Sequence, residues 1–195
     1  MNNIVLKTVE ELNKWRLTNK KVISFIPTMG NLHDGHKELI LEARKSKENL
    51  LILSIFVNPL QFNDKEDLKN YPRTINNDIY LAFALGVDVI FIPSENEIFP
   101  KKEKSIKYLK ASQDLSKNLC GISRKGHFDG VCTVVYRLLN IVKPEIMFLG
   151  EKDWQQLLII KEMVAKHNIR VSIKSINTKR DIDGVPFSSR NNLLL

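Results

Sequence analysis

Residues 22–36 read VISFIPTMGNLHDGH, and the order of residue types in this stretch decides the fold. Val22, Ile23, Phe25 and Ile26 form an apolar, partly β-branched run that reads as a buried strand. Pro27 and Gly30 break it. His33 and His36 follow, three apart across Gly35, and from His36 onward Leu39, Ile40 and Ala43 fall at helical spacing. Strand, tight turn and helix succeed one another, with both imidazoles at the helix entrance. Unpaired backbone N–H groups and the positive end of the helix dipole collect there, which is where phosphate binds.

Outward from this stretch, strand and helix patterns alternate. Thr8 to Glu11 has capping-box spacing and opens a helix to about residue 19. The histidine helix runs to about residue 47. Residues 50–57 (LLILSIFV) are almost continuously apolar and end at Asn58-Pro59, the pattern of a strand covered on both faces. A broken polar stretch, 58–72, leaves room for a short helix over 65–70. A helix over 74–85 then ends at Gly86, and residues 87–92 form the next strand. Residues 94–128 are the least regular. A helix over 131–142, a strand over 146–149, a turn over 150–153, a helix over 154–167 and a strand over 170–176 complete the series. Such alternation predicts an α/β fold, a Rossmann-like doubly wound parallel sheet. Ligands bind such sheets at the carboxyl ends of the strands, where strand order reverses. The polar turns at 27–36, 58–61, 150–153 and 178–190 would all share that edge.

Composition narrows the function. The chain has 195 residues, 43% hydrophobic and 27% charged, with a formal net charge of +8. No apolar run approaches the roughly 20 residues that span a bilayer, so no membrane partner is expected. Cys120 and Cys132 are too few for a disulfide framework or a four-cysteine zinc site, and they fit reduced thiols in the cytoplasm. The positive charge invites a nucleic-acid reading. The lysines are scattered, however, and the one dense group (Lys101, Lys102, Lys104, Lys107 and Lys110) has no arginine stripe or interleaved aromatics. A solvated face explains it better.

Taken singly, the candidate residues stay ambiguous. His33 and His36 suit phosphate, a metal pair or a plain surface pair, and no nearby third ligand favours zinc. Lys152 and Arg190 lie in other polar turns and are able to complete an anion clamp. Asp153 stands where a carboxylate accepts ribose hydroxyls, or equally where it caps the next helix. Gln61 and Gln156 each offer two donors and an acceptor, suited to a hydroxy acid without burial of an unpaired charge.

Together these segments resemble a known family. PTMGNLHDGH (27–36), SIFVNPLQF (54–62), YPRT (71–74), GHFDGV (126–131), GEKDWQQL (150–157) and SSRN (188–191) resemble pantothenate synthetases, in order and over nearly the whole chain from about residue 20. The histidine motif alone belongs to the wider HxGH nucleotidylyltransferase superfamily; its combination with the other segments is far more specific. The resemblance implies an ATP-dependent ligase. ATP and pantoate give pantoyl adenylate and pyrophosphate, and β-alanine then displaces AMP to give pantothenate, a coenzyme A precursor. It places Met29, Gly30, Asn31, Leu32, His33, Asp34, Gly35 and His36 on the ATP phosphates, with His36 catalytic beside His33, Lys152 and Arg190. It places Gly150, Glu151, Lys152 and Asp153 at ribose and phosphate, the Lys179 backbone at adenine, and Phe187, Ser188, Ser189 and Arg190 in a mobile phosphate loop. Gln61 and Gln156 correspond to pantoate-binding positions and Asn58 and Tyr71 to residues around the acid pocket. Arg124 corresponds to a peripheral phosphate-side arginine, and Asp78 to an acid near Mg2+. A cytoplasmic homodimer is implied as well.

Two departures accompany the match. Asn77 stands where the family commonly carries an acid. The chain also stops at Leu195, soon after SSRN, where family members continue into a small C-terminal lid domain. The expected division is therefore a Rossmann-like ATP- and pantoate-binding domain over 1–186 and the start of a truncated C-terminal domain over 187–195, with doubtful turnover. The alternatives are another HxGH nucleotidylyltransferase, putting a different group on the α-phosphate, or a basic nucleic-acid-binding module.

Overall fold

The computed structural model describes residues 3–101 and 107–191. Lys102, Lys104 and the apolar tail Leu193–Leu195 lie outside the described residues.

Six strands form one parallel sheet: β1 (Ile4–Leu6), β2 (Ile23–Thr28), β3 (Leu50–Ile55), β4 (Val89–Phe91), β5 (Ile146–Gly150) and β6 (Ser172–Ile176), in the spatial order β1-β4-β3-β2-β5-β6. The helices between them are α1 (Val9–Thr18), α2 (Asp34–Arg44), α3 (Lys65–Asn70), α4 (Ile75–Ala84), α5 (Glu95–Ile98), α6 (Gln113–Ser116), α7 (Cys120–Ser123), α8 (His127–Val142) and α9 (Trp154–Lys166). Alternate strand residues enter two separate cores, as the period of two requires. Phe25, Ile52, Val89, Phe91, Met147 and Leu149 meet Leu12 of α1 and the apolar faces of α8 and α9 on one side. Ile26, Leu51, Leu53, Ile90 and Phe148 meet Leu39, Ile40 and Ala43 of α2 and Ala82 of α4 on the other. Helices on both faces are what continuous apolar strands demand. The doubly wound parallel sheet expected from the alternation is present.

Strand order reverses between β2 and β5, which lie side by side. Successive strands build outward on either side of this pair, so their carboxyl ends flank an open crevice. The histidine turn leaves β2 and the 150–153 turn leaves β5 at that crevice.

The sequence reading differs from the structure at α8. That helix starts at His127, four residues before Val131, after Gly126 with φ of +78°. Its first turn is polar because it is wired to its neighbours rather than to the core. Asp129 accepts the Ala111 N–H at 2.8 Å, and His127 Nδ1 lies 2.7 Å from the Gln61 carbonyl oxygen. The apolar period therefore begins a turn late. In the irregular region, α5, α6 and α7 are single turns. Gln155 fastens the last two by donating to the Leu115 and Asn118 carbonyls at 2.7 and 2.6 Å and accepting the Cys120 N–H at 3.1 Å.

Candidate active site

The loop between β2 and α2 is shaped from below by Asp78. Gly30 and Asn31 both take left-handed conformations, with φ of +80° and +51°. This turns the Asn31 and Leu32 N–H groups downward, where Asp78 accepts them at 2.9 and 2.8 Å. Thr74 adds a third bond to the same carboxylate at 3.1 Å. A Cβ on Gly30 would sit 3.0 Å from the Asp78 carboxylate, so the bare backbone is required on two counts.

This arrangement bears on what is expected of Asn31, Leu32 and Asp78. The resemblance places Asn31 and Leu32 on the ATP phosphates, but their N–H groups are already used. It places Asp78 at magnesium, but this residue is only 2% exposed and both of its oxygens accept backbone donors. Asn77, beside it, is exposed. No cluster of three acidic, histidine or cysteine residues suits a metal ion among the described residues. The residues present do not fit a protein-held magnesium, and a cation arriving on ATP would belong to the substrate.

Above the loop the two histidines form a capping box of their own. His33 Nδ1 accepts the Gly35 N–H at 3.2 Å, and His36 Nδ1 accepts the His33 N–H at 3.3 Å. Each ring, neutral with Nδ1 an acceptor, carries its proton on Nε2. The rings lie 4.1 Å apart between centroids, tilted by 43°. Burial, then His33 and Lys152, pushes the His36 pKa down to about 3. Burial also lowers that of His33, with Lys152 adding to the effect. The pair is thus two neutral, oriented N–H donors rather than a doubly charged clamp. A Cβ on Gly35 would come within 3.0 Å of the His33 ring, which explains the glycine between them.

Two adjoining cavities open on these rings. The smaller, about 140 Å³, lies between the carboxyl ends of β2, β5 and β6. His33, Gly35, His36, Gly150, Lys152, Asp153, Gln156, Lys179 and Phe187 line it. The larger, about 450 Å³, shares His33, His36, Lys152, Asp153 and Gln156 and extends past Met29, Asn58, Gln61, Tyr71, Arg124, His127, Ser188, Ser189 and Arg190. The histidines, Lys152 and both glutamines therefore meet in one crevice.

Gln61 is 9% exposed, and its Nε2 donates to the Met29 thioether at 2.9 Å. Sulfur is a weak acceptor, so this donor is readily transferred to a ligand oxygen. Asn58 orients it: 1% exposed, it donates to Gln61 Oε1 and to the Gly130 carbonyl, both at 3.1 Å. The close approach depends on Gly130, where a Cβ would lie 2.2 Å from the Leu60 carbonyl oxygen. The side chain of Gln156 makes no hydrogen bond to any described residue and faces both cavities. Lys152 Nζ pairs with Asp153 at 3.0 Å. Asp153 makes no side-chain cap on α9, so the capping alternative is not realised.

Other expected residues either line neither cavity or are paired at a cavity rim. Gly30, Asp34 and Glu151 line neither cavity, and Asp34 pairs with Lys37 at 2.6 Å. The Lys179 side chain reaches Glu38 at 3.0 Å while its carbonyl accepts the Phe187 N–H at 3.2 Å. Arg190 lies on Asp67 at 2.9 Å. A further site residue is His127, 5% exposed, which lines the larger cavity beside Gln61 and Arg124. The motif GHFDGV contained it, but its polar helix turn gave no periodic signal.

Comparison with known proteins identifies the family. The sequence model described as Pantoate-beta-alanine ligase matches residues 4–195. The chain belongs to that family. A bifunctional pantoate ligase/cytidylate kinase of Prochlorococcus marinus subsp. pastoris is 60% identical over 191 residues, covering 98% of this chain and 38% of the relative. Thus the chain spans well under half the length of such curated relatives. A pantoate-beta-alanine ligase from Francisella tularensis, solved in complex with beta-gamma ATP and beta-alanine, superposes with a TM-score of 0.92 at 41% identity. That match covers 98% of this chain and 73% of the other. Pantothenate synthetase from Thermus thermophilus gives a TM-score of 0.89 at 40% identity, covering 98% and 67%. No helix among the described residues is long and apolar enough to cross a membrane.

Proposed function

We propose that this chain binds ATP and pantoate and supports their condensation to pantoyl adenylate, which β-alanine converts to pantothenate with release of AMP. The observation that carries the reading is the convergence of His33, His36, Lys152, Gln61 and Gln156 on one crevice where strand order reverses. The smaller cavity takes the adenosine, with Asp153 on the ribose and the 176–179 backbone beside the base. The triphosphate crosses the two imidazoles and Lys152, and pantoate enters the larger cavity against Gln61 and Gln156.

Residue chemistry supports that order. A carboxylate with a pKa near about 4 is already ionised at neutral pH, so adenylation needs no strong base. The obstacle is an anion attacking a polyanion. Nε2–H donors of His33 and His36 and the Lys152 ammonium, aimed at the α-phosphate and the departing pyrophosphate, lower that barrier. Neutral imidazoles suit the task because the His36 donor stays in place at any pH above about 3, and burial shifts His33 toward its neutral form as well. The glutamines bind pantoate without adding charge, and Asn58 holds Gln61 in its rotamer as a positioning residue. Arg190 supplies a further cation once its loop engages the phosphates. In the second step the β-alanine amine attacks the acyl carbon, the acyl–phosphate bond breaks and AMP leaves.

The same reading makes residues 1–186 the nucleotide-binding unit, places the protein in the cytoplasm and pairs two copies through this domain. The direct test is exchange of labelled pyrophosphate into ATP. It should require pantoate and fail with acids that lack the 2-hydroxyl. Exchange that is indifferent to pantoate would reject the assignment.

A further inference from the structure

The structure assigns Asp67 a part in the phosphate site: it parks Arg190 in an ion pair, and an incoming triphosphate draws the guanidinium off it. Asp67 is thus a positioning residue that acts through Arg190, and the inference rests on reading Arg190 as a phosphate ligand.

Three sets of contacts carry it. Arg190 Nη2 donates to both oxygens of Asp67, at 3.2 and 2.9 Å. Its guanidinium carbon lies 5.8 Å from the centre of the Tyr71 ring, so the fork rests on an aromatic seat beside the carboxylate. The loop behind it is pinned to the histidine loop, with Asn31 Nδ2 donating to the Ser189 carbonyl at 3.2 Å and Ser189 Oγ donating to the Asn31 carbonyl at 3.4 Å. Arg190 therefore hangs between a fixed loop and α3, a helix of six residues none of which is fully buried.

Arg190 lines the same larger cavity as His33 and His36. Both side chains of the Asp67 pair are 41% exposed. Such pairs are weak because water screens them, whereas a triphosphate offers several charged acceptors in the fork geometry that arginine favours. The weaker contact gives way. The Arg190 Nε and Nη1 donors have no partner among the described residues, so phosphate can engage the fork before Nη2 leaves Asp67.

The test is calorimetric titration of ATP into the intact chain and four variants, each checked for an unchanged thermal transition. Arg190→Ala should weaken ATP binding. Asp67→Asn should tighten it by about two- to five-fold, the range that an exposed ion pair accounts for. Asp67→Asn combined with Arg190→Ala should bind like Arg190→Ala alone. Glu66→Gln, which removes the same charge one residue away, should leave affinity unchanged. If Arg190→Ala weakens binding while Asp67→Asn leaves it unchanged or weaker, the parking role is overturned and the phosphate role of Arg190 stands. If Arg190→Ala has no effect, the phosphate role fails and the parking role with it. Equal tightening by Glu66→Gln, or tightening by Asp67→Asn that survives in the double variant, reduces the effect to general charge and also overturns the proposal.

Discussion

His36 takes its chemistry from where it is held. Its Nδ1 is filled by a backbone N–H and burial brings its pKa down to about 3, so the ring is a fixed donor throughout the neutral range. Substitution by alanine should leave the fold intact and reduce pantoate-dependent pyrophosphate exchange by about 10² or more, the scale for one lost transition-state donor. The same burial affects stability in a direction that follows from proton counting. Between pH of about 6.5 and about 3 the unfolded chain holds a proton on this ring that the native protein does not, so stability falls as pH drops through that window. Above it the group contributes no pH dependence. Urea midpoints measured from pH 7 to pH 4 should therefore decline less steeply in His36→Gln than in the native protein, by an amount on the order of a few kcal/mol at the acid end. Parallel slopes would mean that the imidazole is not buried in its neutral form.

Asp78 shows how one helix holds the loop of another element. From α4 it accepts two loop N–H groups and the Thr74 hydroxyl, and it is almost wholly buried. Alanine there would leave two N–H groups without partners, which should cost about 3 kcal/mol and weaken ATP binding by displacing His33 and His36. The ratio of ATP affinities with and without magnesium should stay as it is in the native protein, whereas a direct metal ligand would collapse that ratio. At the other end of the crevice α8 approaches the 58–61 turn so closely that Gly130→Ala would drive a methyl group into the Leu60 carbonyl. The Asn58–Gly130 bond should break, and pantoate affinity should fall further than ATP affinity, as read by titrating each ligand separately.

For the whole molecule, apolar patterning revealed the parallel sheet because buried strands leave a continuous signal, as residues 50–57 do. The histidine turn was legible for a related reason: Pro27, Gly30 and Gly35 mark where the backbone must bend or stay bare. What escaped the sequence lies in long-range polar contacts. Asp78 is an acid 46 residues from Leu32, and nothing local marks it as a clamp rather than a metal ligand. His127 starts α8 in a turn without apolar period, and Arg190 lies against Asp67, 123 residues away. Spacing along a chain does not report such pairings. The central claim is that neutral imidazoles and neutral amides bring a triphosphate and a small hydroxy acid together in one crevice. Its most direct test is calorimetric titration of pantoate into the chain saturated with a non-reacting ATP analogue. Saturable binding that disappears in both Gln61→Ala and Gln156→Ala, with analogue binding retained, is the predicted result; pantoate binding that survives both substitutions, or none in the native protein, would contradict it.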